Sequence, residues 1–316
     1  MRVLVVGGAG YIGGAVTDAL LKRQIPFTVY DSLLYEPHYL KPVDFIRGDV
    51  RERPFLKSVL SAYTHVIWLA AIVGDGACEV NRNLTTIVNQ DSVQWLAENF
   101  KGRIVFTSTC SVYGEHEGEV DESGVTNPLS WYATTKLAAE QFLLARDNAL
   151  VFRLGTAFGI SDTYSRPRMD LVANQMPVAA ISTGGVTVHG GEQWRPMIHV
   201  KDIAQAAVSN LDRPVRGLYN LSAVNVQIKE LAALCAKITG CKITAVPGGP
   251  DARNYRANTA KAHRDDLFNP WTLHTLSDGV QEFVTLVESH RIKSVENSLY
   301  FNVRHLGGLY EHGQLS

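Results

Sequence analysis

The stretch Val3-Leu-Val-Val-Gly-Gly-Ala-Gly-Tyr-Ile-Gly13 decides the fold of this chain. Its four apolar residues lead into a glycine-rich turn and then into apolar residues at helical spacing. This pattern predicts a buried parallel strand, a tight turn and an amphipathic helix. Gly7, Gly10 and Gly13 have the spacing of a dinucleotide fingerprint, which allows a sharp turn, close approach of a pyrophosphate and close packing of helix on strand. We therefore predict that a dinucleotide binds here, with its pyrophosphate against the N-terminus of the helix.

The composition is that of an ordinary globular protein. The chain has 316 residues, 46% of them hydrophobic and 19% charged, with a formal net charge of -1. This balance argues against a nucleic-acid or membrane partner, and no apolar run approaches the roughly 20 residues of a membrane span. The chain enters its first strand at once, which predicts no signal peptide. The four cysteines form neither a CxxC motif nor a zinc spacing with the histidines, so we expect reduced thiols, no metal and a cytoplasmic location.

Strands and helices alternate through the first half of the chain. The apolar patterns predict further strands at 26–30, 43–46, 65–69, 103–108 and 150–154, with helices at 52–62, 78–99 and 131–147 between them. Such alternation is typical of the α/β class, and it predicts a doubly wound parallel (Rossmann) sheet. Ser130 is the expected N-cap of the third of these helices.

An acidic residue indicates which dinucleotide is bound. Asp31 ends the second predicted strand, about 20 residues beyond the glycines, where its carboxylate can accept hydrogen bonds from the adenosine ribose. The same carboxylate would repel a 2′-phosphate, so we predict NAD rather than NADP. Leu69, Ala70 and Ala71 end the fourth strand with small residues, past which the cofactor can run close to the backbone.

A tyrosine and a lysine four residues apart carry the predicted chemistry. Tyr132 and Lys136 lie on one face of a helix, and Ser108 and Thr109 end the preceding strand of the sheet. A phenolate at pH 7 costs roughly 4 kcal/mol because the tyrosine pKa is near 10. A nearby ammonium and a positive nicotinamide ring favour the phenolate. We predict that Tyr132 is the base. Lys136 would lower the pKa of Tyr132 and bind the ribose, and the Thr109 hydroxyl would hydrogen-bond the substrate oxygen.

The alternation breaks after Gly155. Helices are predicted at 168–180, 202–211, 227–239 and 278–290, and strands at 186–189, 198–200, 217–221 and 243–246, with a loop at 247–250. We predict a cofactor domain of residues 1–159 plus about 198–222, and a smaller C-terminal α/β substrate domain of residues 160–197 and 223–290. The tail, residues 291–316, has weak periodicity and is either an arm over a partner or a loosely held end.

Several motifs together give the chain a resemblance to a known family. It resembles the extended short-chain dehydrogenases/reductases of the nucleotide-sugar epimerase and dehydratase group. The matching motifs occur in family order over the first 200 residues: GGAGYIG at 7–13, Asp31, GDV at 48–50, LAA at 69–71, STCSVYG at 108–114, YATTK at 132–136 and WRPMIHVKD at 194–202.

The resemblance implies a cofactor site and a substrate site. It makes NAD the cofactor, a nucleotide-diphosphate sugar the substrate and a homodimer the expected assembly. Asn89 is implied to be a buried structural residue. The implied cofactor residues are Gly7, Gly10, Tyr11, Ile12, Gly13, Asp31, Ser32, Asp49, Val50, Leu69, Ala70, Ala71, Thr107, Tyr132 and Lys136. The implied substrate residues are Ser108, Thr109, Thr156, Arg195, Arg253 and Tyr255.

The roles implied for the residues of the substrate site have alternative explanations. The Arg195 guanidinium can pair bidentately with a diphosphate, although an ion pair with Asp202 or Glu192 would also explain it. Arg253 and Tyr255 match the family more loosely, as a second phosphate contact and a base contact. The basic segment 165–170 either meets a phosphate or an acidic sugar, or is a solvated loop.

Differences between this sequence and the family's motifs narrow the range of reactions that the protein could catalyse. Dehydratases of the family carry an Asp-Glu pair after the catalytic threonine, whereas Cys110 and Ser111 stand at those positions. A thiol and a hydroxyl cannot replace that acid/base pair, so we predict that the protein is not a 4,6-dehydratase. Cys110 is expected to be a packing residue. Gly155 and Thr156 replace the usual Phe-Asn, so the identity of the sugar does not carry over.

These residues lead to one functional hypothesis and two alternatives. We predict an NAD-dependent nucleotide-sugar epimerase that acts at C4 through a transient keto-sugar. The close alternative is an NAD(P)H-dependent reductase of a nucleotide 4-keto-6-deoxy sugar. The remote alternative is a non-catalytic regulator that senses the cofactor.

Overall fold

The computed structural model describes residues 1–36, 38–248, 253–269, 271–292 and 294–315, and the elements below lie in these ranges. The strands are β1 (Val3–Val6), β2 (Phe27–Asp31), β3 (Phe45–Arg47), β4 (His65–Trp68), β5 (Arg103–Thr109), β6 (Glu115–Val120), β7 (Ala149–Leu154), β8 (Thr156–Phe158), β9 (Gly185–His189), β10 (Trp194–His199), β11 (Gly217–Leu221), β12 (Val224–Gln227), β13 (Lys242–Val246) and β14 (Asn254–Ala257). The α-helices are α1 (Tyr11–Lys22), α2 (Arg53–Leu60), α3 (Asp75–Val80), α4 (Arg82–Thr86), α5 (Ser92–Asn99), α6 (Trp131–Leu144), α7 (Val172–Thr183), α8 (Val200–Ser209), α9 (Ile228–Thr239), α10 (Ala260–Arg264), α11 (Leu276–Glu288) and α12 (Asn302–Glu311).

Parallel strands form the central sheet, in the order β11-β7-β5-β4-β1-β2-β3. The four residues of β1 are fully buried, and Val3 stands opposite Phe27 of β2 and His65 of β4. The chain leaves β1 for β2 and β3 on one side and returns to β4 on the other, so the strand order reverses at β1. Ligands of open α/β sheets bind at such a switch point, outside the carboxyl ends of the strands. The predicted doubly wound fold is confirmed.

The glycine turn is at this switch point. Gly7 has a φ of +82°, and a Cβ atom there would overlap the backbone of Ala70, which follows β4. A Cβ atom at Gly13 would overlap the backbone of Gly8, so the third glycine lets the start of α1 pack closely on the turn. A Cβ atom at Gly10 would meet nothing closer than the Gly7 carbonyl at 3.5 Å, so its role is not set by packing within the chain.

The prediction of one long helix over 78–99 is wrong. The chain breaks at Asn81, which is extended (φ −149°) and caps α4 by accepting a hydrogen bond from the Leu84 N–H. A π-helical turn, Ile87–Asp91, then separates α4 from α5. Within this turn the buried Asn89 side chain bonds both the N–H and the carbonyl of Ile72, at 2.8 and 2.9 Å. A side chain of the π-helical turn thus holds the loop that follows β4.

The second half of the chain builds smaller sheets beside the central one. β12, β10 and β8 form a three-stranded sheet, while β13 pairs with β9 and β14 with β6. The predicted strand at 198–200 is the end of β10 and belongs to this small sheet, whereas α8 returns to pack on α1 and β11 joins the central sheet. The helix predicted at 168–180 begins later, at Val172. Residues 249 and 250 of the predicted loop lie outside the described residues.

The tail is more structured than its sequence indicated. It contains a 3₁₀ turn (Ser298–Tyr300) and α12, which packs on α3. Leu306 and Leu315 are buried in a cluster with Ile72 and Leu84. Within the described ranges, no helix is long and apolar enough to cross a membrane.

Candidate active site

A cavity of about 1020 Å³ runs along the carboxyl edge of the central sheet. It extends from Asp31 at one end to Arg195 at the other, so it joins the predicted cofactor site to the predicted substrate site. Thr107 and Lys136 lie behind its wall rather than on it. The predicted residues that line it are Gly7, Gly10, Tyr11, Ile12, Gly13, Asp31, Ser32, Asp49, Val50, Leu69, Ala70, Ala71, Ser108, Thr109, Tyr132, Thr156, Arg195, Arg253 and Tyr255.

Asp31 is held in place by the backbone. Its carboxylate accepts hydrogen bonds from the N–H groups of Ala9, at 3.0 Å, and of Leu33, at 2.8 Å. Burial raises the pKa of Asp31, and these N–H donors oppose that rise. Nearby, Asp49 pairs with Arg51 at 2.9 Å, a contact that the sequence did not indicate. The cavity end thus presents an oriented carboxylate where a ribose would lie.

Tyr132 lies in the first turn of α6. The predicted cap is present, because the Ser130 side chain accepts a hydrogen bond from the Ala133 N–H at 3.2 Å. Burial strongly raises the pKa of the Tyr132 phenol. Arg168 is the cation that lowers this pKa most, and a hydrogen bond from the Thr109 side chain also lowers it. The predicted tyrosine and hydroxyl partner are therefore adjacent.

Lys136 is one turn further along α6 and is 2% exposed. Its ammonium nitrogen lies 4.0 Å from the centre of the Phe106 ring. Burial lowers the pKa of Lys136 to about 7, while Glu140 raises it. Its predicted role as a ribose anchor and tuner stays a prediction.

Ser108 is linked to a buried ion pair behind the cavity wall. Its hydroxyl donates to the Glu140 carboxylate, which pairs with Arg153 at 2.7 Å. Arg153 also donates to the Tyr113 hydroxyl at 2.9 Å. Because a hydroxyl has one proton to donate, Ser108 can serve a substrate only as an acceptor while this bond persists. The Glu140–Arg153 pair was not anticipated from the sequence, in which neither residue stands in a motif.

The far end of the cavity holds the predicted diphosphate contacts. Arg195 is 4% exposed and donates to the carbonyls of Trp194 and Arg253. The alternative partners are engaged elsewhere, since Asp202 pairs with His274 and Glu192 with Lys229.

Arg253 and Tyr255 contact residues on the opposite wall. Arg253 pairs with Asp75 at 3.0 Å. The Tyr255 hydroxyl lies 3.3 Å from the Ser111 hydroxyl. By contrast Cys110 is fully buried, and its thiol donates to the Arg153 carbonyl at 3.2 Å, as expected of a packing residue.

The basic segment 165–170 is not a solvated loop. Arg166 and Arg168 line the cavity, and their side chains are 8% and 9% exposed. Arg168 pairs with Asp170 at 2.6 Å, and Arg166 donates to the Leu299 carbonyl and the Asn302 side chain of the tail. The tail residues Asn302, Val303 and Leu315 also line the cavity. Sequence reasoning missed them because α12 contains Gly307 and Gly308 and has few apolar residues.

Comparison with known proteins agrees with the motifs. The sequence pattern of the NAD dependent epimerase/dehydratase family matches residues 3–222. A UDP-glucose 4-epimerase of Halalkalibacterium halodurans is 30% identical over 278 residues, which are 78% of this chain and 82% of that protein. A dTDP-glucose 4,6-dehydratase of Streptomyces niveus is 31% identical over 166 residues, which are 46% of this chain and 49% of that protein.

A solved structure of similar fold contains both a nucleotide sugar and NAD. The structure of MoeE5 in complex with UDP-glucose and NAD has a TM-score of 0.77 and 25% sequence identity, and the match covers 92% of this chain and 100% of that one. The predicted family and its cofactor, NAD, agree with these matches. Because the family pattern covers more than two thirds of the sequence, the chain belongs to the NAD-dependent epimerase/dehydratase family, within the extended short-chain dehydrogenases/reductases.

Proposed function

We propose that this protein is an NAD-dependent nucleotide-sugar epimerase that inverts C4 of its sugar. The observation that carries the proposal is the single cavity that joins the glycine turn and Asp31 to Arg195 and Arg253 past Tyr132. A dinucleotide and a nucleotide sugar bound at its two ends would meet at the tyrosine. The division into a cofactor domain and a substrate domain is part of this proposal, and residues of 160–197 and 223–290 that line the far wall support it.

The cofactor end fits NAD. A Cβ atom at Gly10 would meet its nearest neighbour, the Gly7 carbonyl, at 3.5 Å, which leaves the backbone open to a pyrophosphate, and Asp31 would present its oriented carboxylate to the ribose. The N-terminus of α1 begins at Tyr11 with no side-chain cap, so its N–H groups are available to a pyrophosphate. When bound there, NAD would supply a reversible hydride acceptor for the sugar carbon.

The side chains around Tyr132 would move the proton. The Tyr132 phenolate takes the proton of the C4 hydroxyl. After the keto-sugar has rotated in the site, Tyr132 returns the proton to the C4 oxygen. With substrate bound, the Thr109 hydroxyl would turn its one proton from Tyr132 to the same substrate oxygen and stabilise the charge that develops there. Because burial raises the Tyr132 pKa, the base needs the neighbouring positive charge of Arg168 and of the bound cofactor to ionise.

The substrate end would hold the diphosphate. Arg195 and Arg253 lie at one end of the cavity, linked by a hydrogen bond between them. Guanidinium groups pair bidentately with phosphate oxygens and fix their orientation. Since the relatives include UDP-glucose 4-epimerases, UDP-glucose is the first substrate to test.

The residues after Thr109 favour epimerisation over dehydration. Cys110 is buried with its thiol on a backbone carbonyl, and Ser111 offers the cavity a hydroxyl. Neither side chain can act as the carboxylic acid that expels water in the family's dehydratases. Dehydratases are nevertheless among the relatives, so the experiment must look for the dehydrated product too.

The test is to incubate the purified protein with UDP-glucose and a catalytic amount of NAD, and to identify the products by NMR. We expect UDP-galactose to form without net change in NAD, and Tyr132→Phe to lower kcat by about 10³-fold or more while the melting temperature is unchanged, a loss in the range expected for removing a general acid/base. If UDP-glucose is inert, other nucleotide sugars are screened by the rise they cause in melting temperature with NAD present.

Three outcomes would contradict the proposal. Net consumption of NAD(P)H with a keto-sugar would indicate a reductase. Loss of water from the sugar would indicate a dehydratase. Full biological activity of Tyr132→Phe would indicate a non-catalytic regulator.

A further inference from the structure

The C-terminal segment, residues 294–315, crosses the cavity beside the cofactor site. β2 and β4 are the two neighbours of β1; the predicted cofactor residue Asp31 ends β2, and Ala71 lies in the loop after β4. The segment bonds both loops, because His305 contacts the Leu34 carbonyl at 2.8 Å and Asn302 donates to the Val73 carbonyl at 2.7 Å. It therefore spans the two sides of the opening above the glycine turn.

Asn302 also joins this opening to the opposite wall. It is 1% exposed and uses three groups at once. Besides its bond to Val73, its side-chain oxygen accepts a hydrogen bond from Arg166 and its N–H donates to Asp170 at 3.0 Å. Buried hydrogen bonds of this kind are costly to leave unmade, so they hold the segment in one position. The basic segment 165–170 thereby acquires a role as the anchor of the tail.

Apolar contacts complete the closure. Leu306 and Leu315 are buried in one cluster with Ile72 and Leu84, and Leu34 and Tyr132 pack against the same cluster. A Cβ atom at Gly76 would come within 3.0 Å of the Val303 side chain, so the segment lies close against the start of α3. The segment thus covers the cavity from the loop that follows Asp31 to the catalytic tyrosine.

We propose that residues 294–315 form the outer wall of the cofactor site, with Asn302 as the positioning residue that locks this wall, so that bound NAD leaves only when the segment undocks. The inference rests on the proposed function, since it takes NAD to be the ligand of that half of the cavity. A cofactor held in this way suits an epimerase, which reuses one NAD, better than a reductase, which must exchange it at every turnover.

The experiment measures how fast labelled NAD leaves the purified protein in the presence of excess unlabelled NAD, without any sugar. The variants are Asn302→Ala, Asn302→Asp and a chain shortened to residues 1–292. Arg304→Ala is the matched control, because Arg304 is on the same helix with an exposed side chain that pairs with Glu296. We expect Asn302→Ala to release NAD at least tenfold faster than the wild type, and Arg304→Ala to match the wild type.

The other variants refine the result. Asn302→Asp keeps the acceptor for Arg166 but loses the donor to Val73, so an intermediate rate is expected. The shortened chain should not retain NAD through gel filtration, and if it does not fold, Asn302→Ala decides alone. Equal release rates from the wild type and Asn302→Ala would overturn the inference. A wild type that binds no NAD at all would overturn the proposed function as well, which distinguishes the two failures.

Discussion

Asp75 and Arg253 form an ion pair, at 3.0 Å, between two walls of the substrate end of the cavity. Asp75 begins α3, next to the loop that follows β4, and Arg253 precedes β14 in the other half of the chain. Their side chains are 35% and 28% exposed. If Arg253 binds a substrate diphosphate, the carboxylate of Asp75 competes with the phosphates for the same guanidinium.

Asp75→Asn is therefore expected to strengthen the binding of uridine diphosphate. A partly exposed pair contributes about 0–1 kcal/mol, so the dissociation constant should fall by up to about fivefold. Calorimetric titration at low salt measures the change. Glu79→Gln is the control, because Glu79 is on the same helix and pairs with Arg82, outside the cavity lining. A dissociation constant that rises in Asp75→Asn would contradict the view that Arg253 holds the diphosphate.

A second prediction concerns the buried pair behind Ser108. Glu140→Gln removes one charge and leaves Arg153 buried without its carboxylate, since both side chains are 5% exposed or less. Breaking a buried pair in this way costs about 3–5 kcal/mol of unfolding free energy. Urea unfolding measures the loss.

The double variant Glu140→Gln with Arg153→Met separates charge from packing. It removes the unpaired guanidinium, so it should recover part of the stability that Glu140→Gln loses. A double variant that is no more stable than Glu140→Gln alone would contradict this account.

The positions of the predicted cofactor residues could be deduced from the sequence because their determinants are local. A glycine turn between a strand and a helix defines its own geometry, and Asp31 and Leu69 follow strands whose order the βα alternation dictates. Tyr132 and Lys136 are one helical turn apart, so their common face needed no tertiary information. Each of these residues lies where the pattern predicts, apart from the position of Lys136 behind the wall.

The remaining features depend on contacts between distant parts of the chain. Asn302 bonds Val73 and Arg166, which are more than 130 residues away, and no periodicity within the tail signals such contacts. The break at Asn81 was missed because a capping side chain outweighed an apolar pattern that continued through it. The basic segment 165–170 was ambiguous for the same reason, since Arg166 bonds Leu299 and Asn302 of the distant tail.

Asp31 provides a test of cofactor choice. Asp31→Asn keeps the size of the side chain but removes the charge that should repel a 2′-phosphate. We expect the wild type to bind NAD more tightly than NADP. In the variant the ratio of the two dissociation constants should change at least tenfold in favour of NADP, because NADP binds more tightly. Dissociation constants for both cofactors measure the effect. A wild type without preference would show that Asp31 does not face the ribose.

Lys136 gives a pH dependence whose direction follows from its burial. Its pKa is about 7 in the folded protein and 10.5 in a free side chain, so between these values the unfolded chain holds a proton that the folded protein has released. The free energy of unfolding of NAD-free protein should therefore rise with pH through this range, by at most about 1.4 kcal/mol per pH unit from this group. Below pH 7 both states are protonated and the contribution to the slope disappears.

Lys136→Met isolates this effect because it keeps the length of the side chain and removes the titration. Below about pH 8 the buried cysteines and tyrosines, whose pKa values are raised, keep their protons in the folded and in the unfolded chain, so they add little slope to either protein. Urea unfolding at intervals between pH 6 and pH 9 should thus show a difference in stability that is constant up to about pH 7 and then shifts in favour of the wild type. A difference that stays constant across the whole range would mean that Lys136 keeps its proton in the folded protein. Lys136 would then stand beside Tyr132 as a permanent cation even before NAD binds.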